Sequence, residues 1–291
     1  VRIEPLWEAV DIQSKIPPRK GHAMVQFKEN LFIIGGNRAD IWKTSDLKVW
    51  QLVTDSAGFG RRFGHSVTAF KDNLFIIGGK RSENSFADDI WQSSDGLTWR
   101  KILEADFLRR HYHTVTEFNN RLWMIGGLGE SQYESCLNDI WSSQDGRTWR
   151  PEMDAAPFSR RYSHGACVMH DSLFVAGGMY EGFTDSKQLY DTWSTSDGIN
   201  WKQSSEKMFD HDSVFFTYIQ NGNRLWALGD YCRNCEKNKP FSVISTTGNG
   251  TSWDDRISAR PVYSRVFCSA AGFNNSLCIY PADSHLIYKL R

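Results

Sequence analysis

An arginine recurs at one position of the sequence, three residues before a histidine or before the residue that replaces it. The five members are Arg19, Arg62, Arg110, Arg161 and Arg265. A guanidinium group binds carboxylate, phosphate or sulfate through paired hydrogen bonds. If these side chains meet at one opening, they predict a binding site for an anionic ligand. The alternative is structural, because an arginine placed here can also bond carbonyls or acidic groups of a neighbouring element.

A second candidate group interrupts this pattern in the stretch "FDHDS". Asp210, His211 and Asp212 stand where other copies have an arginine pair. We expect a histidine between two carboxylates to have a raised pKa and to act as an acid or a base near neutral pH. These three residues are the predicted catalytic group, if the protein is an enzyme. The alternative is that the acids neutralise nearby arginines and that His211 is merely exposed.

Both candidate groups belong to a unit that the chain repeats six times. Each unit has a short apolar run, followed in the best copies by a double glycine, and then an Asp-Ile-Trp segment or a variant of it. The apolar runs begin at Leu31, Leu74, Leu122, Leu173, Leu225 and Leu277. Nine residues before the first four leucines stand His22, His65, His113 and His164. Because these histidines recur with the unit, we interpret them as core residues rather than ligands.

Each unit predicts four short strands, with hairpin turns such as Asp95-Gly96. Four-stranded sheets repeated every 43 to 52 residues are typical of a β-propeller. The sixth unit lacks its last tryptophan, and Trp7 supplies one from the other end of the chain. We therefore expect an all-β, six-bladed propeller of four-stranded antiparallel blades. We expect residues 1–291 to form one domain, in which the N-terminal strand 1–10 completes the last blade, 262–291.

Connectivity separates the two faces of such a propeller. The connections between second and third strands emerge on the same face as the connections between blades, and they vary in length from blade to blade. The repeated arginines lead into the innermost strands on this face, so we expect them to crowd the mouth of the central channel. Loops of unequal length on a rigid scaffold are where binding sites are usually found.

The apolar run, the double glycine and the spaced aromatic residues resemble the kelch motif, with one extra residue between the two aromatics. The "SxDGxTW" turn is similar to the Asp-box of sialidases, although it is one residue short. Six-bladed kelch proteins of bacteria include sialate mutarotases, in which a carboxylated sugar lies at the propeller mouth. This distant resemblance implies binding of an acidic sugar by the arginines, with mutarotase or epimerase chemistry. The catalytic residues of that family cannot be mapped onto this chain.

A second resemblance leads to a different class of function. Kelch adaptors of ubiquitin ligases imply a non-catalytic interaction module that recognises an acidic peptide or a partner protein. If the chain is an enzyme, we expect a metal-free sugar isomerase rather than a hydrolase or an oxidase. A copper oxidase similar to galactose oxidase needs a tyrosine–cysteine crosslink and a ligand set of two histidines and two tyrosines, which the predicted buried cysteines and structural histidines do not favour. A sialidase needs a nucleophilic tyrosine and an arginine triad, which the Asp-box-like turns alone do not supply.

The amino-acid composition limits the kinds of binding partner that we expect. Lys+Arg and Asp+Glu both number 34, so the net charge gives no field that gathers nucleic acid. No run of 18 apolar residues predicts a membrane span. We expect a monomer without metal or cofactor, and a periplasmic or secreted location rather than a cytoplasmic one. Strand patterns around Cys167, Cys268 and Cys278 predict buried thiols, whereas Cys136, Cys232 and Cys235 are predicted in loops.

Overall fold

The fold was analysed in a computed structural model, and seven ranges of the chain are described. They are 7–130, 136–182, 185–208, 213–231, 241–259, 269–281 and 286–290. Several residues singled out in the sequence lie outside these ranges, namely Asp210, His211, Asp212, Cys232, Cys235, Arg265 and Cys268.

The described strands form six antiparallel sheets of four strands that follow one another along the chain, and in the third sheet the short strand Arg110–His111 adds a fifth. The innermost strand of each sheet contacts the innermost strand of the next, and that of the sixth contacts that of the first. The sheets therefore close into a ring around a central channel, which confirms the predicted six-bladed β-propeller. No helix in the described part of the chain is long and apolar enough to cross a membrane.

Each blade, numbered in chain order, runs from an inner strand to an outer strand. The strands of blade 1 are Ala23–Phe27, Asn30–Ile34, Ile41–Thr44 and Gln51–Thr54. The strands of blade 2 are Ser66–Phe70, Asn73–Ile77, Asp89–Ser93 and Arg100–Glu104. The strands of blade 3 are Thr114–Phe118, Arg121–Gly129, Cys136–Ser143 and Trp149–Met153.

The remaining blades follow the same order. The strands of blade 4 are Gly165–Met169, Ser172–Ala176, Thr192–Thr195 and Lys202–Ser205. The strands of blade 5 are Ser213–Asn221, Arg224–Tyr231, Phe241–Thr247 and Asp254–Ala259. The strands of blade 6 are Ser269–Phe273, Ser276–Tyr280, Ile287–Leu290 and, from the start of the chain, Trp7–Val10.

Short elements project from the face on which second and third strands are connected, which we call the loop face. Blade 2 has a hairpin there, and so does blade 4, whereas blade 1 has only a short connection. Connections between blades reach this face too, because Phe63 exchanges backbone hydrogen bonds with Lys80 at 2.9 Å. The projecting elements are Lys80–Ser82, Ser85–Phe86, the 3-10 turn Asp106–Leu108, Arg110–His111, Met179–Glu181 and Ser186–Gln188.

The opposite face, which we call the turn face, carries the hairpin turns and helps to lock neighbouring blades. Gly146 of blade 3 has a φ of +74°, and a Cβ placed there would lie 2.3 Å from the ring of Phe75 in blade 2. Glycine is therefore required both by the left-handed backbone and by the close approach of the two blades. The Asp-Gly turns are thus structural, in agreement with their recurrence in the sequence.

The N-terminal strand closes the ring as predicted. Trp7 lies opposite Leu290 and Val10 lies opposite Ile287 in an antiparallel ladder. Trp7 is half-buried, whereas its counterpart Trp50 is buried in a cluster that joins blades 1 and 6. Trp7 packs instead at the margin of the smaller cluster between blades 5 and 6.

Deletion of residues 1–10 is expected to lower the free energy of unfolding by about 3 kcal/mol or more. The truncation uncovers the backbone edge of Ile287–Leu290 and removes the Trp7 side chain from its cluster. A chain that begins at Trp7 keeps the paired strand and is the matched control. Thermal melting of both chains tests the closure, and melting temperatures within about 2 °C of each other would contradict it.

The predictions for the cysteines are confirmed in part. Cys167 and Cys278 are buried free thiols, as the strand patterns predicted, and burial raises the pKa of Cys278 to about 11. The predicted loop at Cys136 is wrong, because this residue opens the third strand of blade 3 and is buried. The connection continues the ladder there, with Cys136 paired to Leu128.

Candidate functional site

The repeated arginines are buried wherever the structure describes them. Their exposed fractions are 3% for Arg19, 0% for Arg62, 3% for Arg110 and 0% for Arg161. The prediction that they crowd the mouth of the channel is therefore wrong for these four residues. Each side chain turns into its own blade, toward the carbonyl of the first glycine of the double glycine.

The aspartate of the Asp-Ile-Trp segment explains this direction. Arg110 donates from both Nη atoms to the two carboxylate oxygens of Asp139, each at 2.7 Å, and from Nη1 to the Gly126 carbonyl at 3.0 Å. A buried guanidinium is stable only when a carboxylate and further acceptors surround it. The same ion pair recurs at 2.8 to 2.9 Å in Arg19–Asp40, Arg62–Asp89 and Arg161–Asp191.

The main chain of the same arginines joins neighbouring blades. The N–H of Gly79 in blade 2 donates to the carbonyl of Arg110 in blade 3 at 2.8 Å. Gly36 donates to Arg62 in the same way at 3.0 Å, and Gly127 donates to Arg161 at 2.9 Å. Each of these arginines therefore fastens its own blade through its side chain and the preceding blade through its carbonyl.

The electrostatics of the Arg62–Asp89 pair fit a structural role. Burial lowers the pKa of the Arg62 guanidinium, against the opposing effect of Asp89. Burial acts to raise the pKa of Asp89, but the charge and hydrogen bonds of Arg62 outweigh it and hold that pKa below its usual value. Both groups therefore depend on each other for their charged forms.

The four repeated histidines lie between blades, which confirms their assignment to the core. They are 5 to 7% exposed. His113 Nε2 lies 3.2 Å from Ser66 Oγ of blade 2, and His164 Nε2 lies 2.9 Å from Thr114 Oγ1 of blade 3. Burial, reinforced by the nearby buried arginine, lowers the pKa to about 3 in His22, His65 and His164. At neutral pH these are uncharged packing groups.

The central channel is narrow where it passes these histidines. Its cavity volume is about 220 Å³, and its polar lining includes Tyr112, Ser163, Thr217 and Ser269 besides the histidines. No arginine lies among the described residues that line it. This part of the channel therefore offers an anion neutral groups rather than guanidinium groups.

Exposed cations of the loop face come from neighbouring positions instead. Arg61, directly before the buried Arg62, is exposed and donates from Nε to the Asn37 carbonyl at 3.0 Å. Arg38 is exposed and donates from Nε to the Pro18 carbonyl at 3.4 Å. Among the residues that the structure describes, neither guanidinium group is paired with a carboxylate.

Two other arginines of this face are already paired. Arg81 contacts Asp89 at 2.7 Å and Asp88 at 3.8 Å. Arg109 lies 3.2 Å from Glu130 and 3.3 Å from Asp106. Arg38 and Arg61 are therefore the better candidates for binding an external anion.

Arg38 and Arg61 line the larger of two adjoining hollows on the loop face. This blade 1 hollow has a volume of about 880 Å³ and also includes Trp42, Leu52 and Asp55. The central hollow, of about 580 Å³, is lined by Arg61 and Arg81 and by the side chains of Phe63, Glu83 and Tyr112. Lys20, Asn37 and Arg61 line both hollows, which form one groove, named here the basic groove.

The predicted catalytic residues Asp210, His211 and Asp212 lie outside the described ranges, as does Arg265. Across the described ranges, no three His, Cys, Asp or Glu side chains are grouped so that they could hold a metal ion.

Blades 1 to 4, each with a buried arginine and a double glycine, match a family profile. The profile of the KLHDC2/KLHL20/DRC7 Kelch-repeats domain matches residues 21–207, more than half of the chain. The chain belongs to the kelch-repeat family. In this kelch propeller the match spans blades 1 to 4. No curated protein matches the chain.

A signal for the role of the arginines was present in the sequence. Blades 1 to 4 each have both the arginine and the aspartate that binds it. Blade 5 has lost both, with Ser213 and Val243 in their places. The joint loss of two residues in blade 5 points to an ion pair within the blade, although blade 6 has Arg265 in the sequence with Leu286 at the position of the aspartate.

Proposed function

We propose that this kelch propeller is a protein-interaction module whose basic groove binds an acidic segment of a partner protein. Kelch domains generally mediate protein interactions. The observation that carries the proposal is the pair Arg38 and Arg61. These exposed guanidinium groups lie on successive connections of the loop face, line the same hollow, and have no carboxylate partner among the described residues.

The charges of the blade 1 hollow favour a negative ligand. Arg19 and Asp40 neutralise each other. The two exposed guanidinium groups of Arg38 and Arg61 then exceed the remaining carboxylate, that of Asp55. A chain of zero net charge has thus gathered a local positive excess, which attracts and orients an acidic partner.

The central hollow adds contact area beside these charges. Phe63 and Tyr112 line it together with Arg61. Tyrosine and arginine are enriched among the residues that contribute most of the binding energy in protein interfaces. This composition supports recognition of a peptide segment rather than of an isolated anion.

The acidic-sugar hypothesis has less support. Four of its five binding arginines have buried guanidinium groups paired with aspartates, and its catalytic residues lie outside the described ranges. Mutarotase or epimerase chemistry therefore stays a prediction from the sequence.

Binding of a fluorescein-labelled hexaglutamate peptide, followed by fluorescence anisotropy, tests the proposed function. We expect the double variant Arg38→Ser, Arg61→Ser to bind at least about tenfold more weakly, because each charge-assisted contact contributes roughly 1.5–3 kcal/mol. Raising the salt concentration should weaken binding to the parent protein as well. Arg147→Ser, which removes an exposed arginine from the turn face, is the matched control and should leave binding unchanged.

Two results would count against the proposal. One is equal affinity of the double variant and the parent protein. The other is an equal loss in Arg147→Ser, which would indicate unspecific attraction. Addition of sialic acid in a parallel thermal-shift series tests the sugar hypothesis, which would gain support from a stabilisation that Arg38→Ser, Arg61→Ser abolishes.

A further inference from the structure

We infer that the partner segment carries a large apolar residue beside its acidic residues, and that the blade 1 hollow binds this apolar side chain. The inference rests on the proposed function and adds the second chemical feature of the partner. Its basis is an apolar surface that blade 1 has and blades 2 to 4 lack.

Leu52 is the centre of this surface. Its side chain is 49% exposed, and it lies opposite Trp42 in the ladder between the third and outer strands of blade 1. The equivalent tryptophans of blades 2, 3 and 4 face polar or cyclic side chains instead. These partners are Lys101, Pro151 and Gln203.

The apolar surface and the cations belong to one hollow. Pro17 and Pro18 line it together with Trp42 and Leu52. Arg38 connects the cationic lining of the hollow to its apolar lining, because its Nε donates to the Pro18 carbonyl at 3.4 Å. An extended peptide of a few residues can therefore place a carboxylate at Arg38 or Arg61 and an apolar side chain on Leu52 and Trp42.

This combination selects one occupant, an acidic peptide that also carries a large apolar side chain. A small anion would use the guanidinium groups and leave the apolar surface exposed to water. An uncharged apolar segment would leave Arg38 and Arg61 without a carboxylate. A peptide with both features complements both parts, and burial of one leucine-sized side chain is worth about a factor of ten in affinity.

Two labelled synthetic peptides test this inference by fluorescence anisotropy. Both begin with four glutamates, a glycine and a serine; one ends in leucine-phenylalanine and the other in serine-serine. We expect the parent protein to bind the apolar-tailed peptide about tenfold more tightly. Leu52→Lys, which installs the residue found in blade 2, should abolish this preference. Leu97→Lys, an exposed leucine on the turn face, is the matched control and should retain it.

The outcomes separate the inference from the proposed function. Binding of both peptides with equal affinity would overturn the inference and leave the proposed function standing. If neither peptide binds, both fail. If Leu52→Lys keeps the full preference for the apolar-tailed peptide, the inference is also overturned, because the apolar tail would then bind elsewhere on the protein. A Leu52-dependent dimer in sedimentation velocity would assign the surface to a second copy of the chain, which likewise overturns it.

Discussion

Replacement of Asp89 by asparagine is expected to lower the free energy of unfolding by about 3 to 5 kcal/mol. The substitution keeps the shape of the side chain but leaves the Arg62 guanidinium, which is 0% exposed, without a carboxylate. Burial lowers the pKa of Arg62 even in the presence of Asp89. The carbonyls of Phe59 and Gly78 would remain as neutral acceptors for the buried guanidinium charge. Urea unfolding followed by tryptophan fluorescence measures the loss.

Two further variants show whether the loss arises from the buried charge. Glu104→Gln removes a carboxylate from an exposed ion pair with Lys101 in the same blade and should leave stability unchanged. The double variant Arg62→Met, Asp89→Leu removes both charges and should be less destabilised than Asp89→Asn. If the free energy of unfolding of Asp89→Asn lies within about 1 kcal/mol of that of the parent protein, the Arg62–Asp89 ion pair does not stabilise the blade.

The fold could be predicted because every repeat carries its own signals. The leucine that begins each second strand keeps one register through all six units. The Asp-Gly turns of blades 2 to 4 and the recurring tryptophans support the same register, so a weak signal in one unit can be interpreted from the others. Even the decayed sixth unit could be completed, since Trp7 supplied the missing position. Local turn chemistry and strand patterns sufficed for this result.

The direction of the repeated arginines could not be predicted from their register alone. The spacing places Arg62 just before an inner strand but does not say whether its side chain faces the channel or the blade. That depends on Asp89, which is 27 residues away across a connection of variable length. The paired loss at Ser213 and Val243 contained this information, but it appears only when two positions are compared.

The basic groove could not be predicted for a different reason. Trp42 and Leu52 become one surface through the pairing of two strands, and the hollow beside them is open where blade 1 has only a short connection. Neither residue forms a motif. Arg61 was visible in the sequence as the neighbour of Arg62, but only burial distinguishes the exposed arginine from the paired one.

Acid is expected to unfold the propeller well above the pH at which carboxylates titrate. The pKa of His22, His65 and His164 is lowered to about 3, first by burial and then by the adjacent buried arginine, whereas an unfolded histidine titrates near 6.5. Above pH 6.5 both states are neutral and the histidines have no effect. As the pH falls below 6.5, these histidines bind protons in the unfolded state but not in the folded state, so the free energy of unfolding decreases.

The size of this effect follows from linkage. At pH 5 each of the three histidines should lower the free energy of unfolding by about 2 kcal/mol, or by about 6 kcal/mol together. This total is comparable to the whole free energy of unfolding of many domains. The turn aspartates act in another range, because the pKa of Asp95 and Asp145 lies below the usual 3.8. Their contribution is lost only as the pH falls below that value. Loss of stability between pH 6.5 and 4 therefore reports the histidines.

His65→Phe provides the decisive comparison. Neither ring nitrogen of His65 meets the geometry of a hydrogen bond with a described residue, and the backbone of Ile34 is the polar group that acts on the ring, so phenylalanine removes the titration with little loss of hydrogen bonding. The sequence itself has phenylalanine at this position in blade 5, at Phe216. Urea unfolding at pH 7, 6 and 5 should show that the variant loses stability less steeply than the parent, by up to about 1.4 kcal/mol per pH unit. A parent protein equally stable at pH 7 and pH 5, or an unchanged slope in His65→Phe, would show that these histidines accept protons in the folded state and are not the buried, uncharged groups described above.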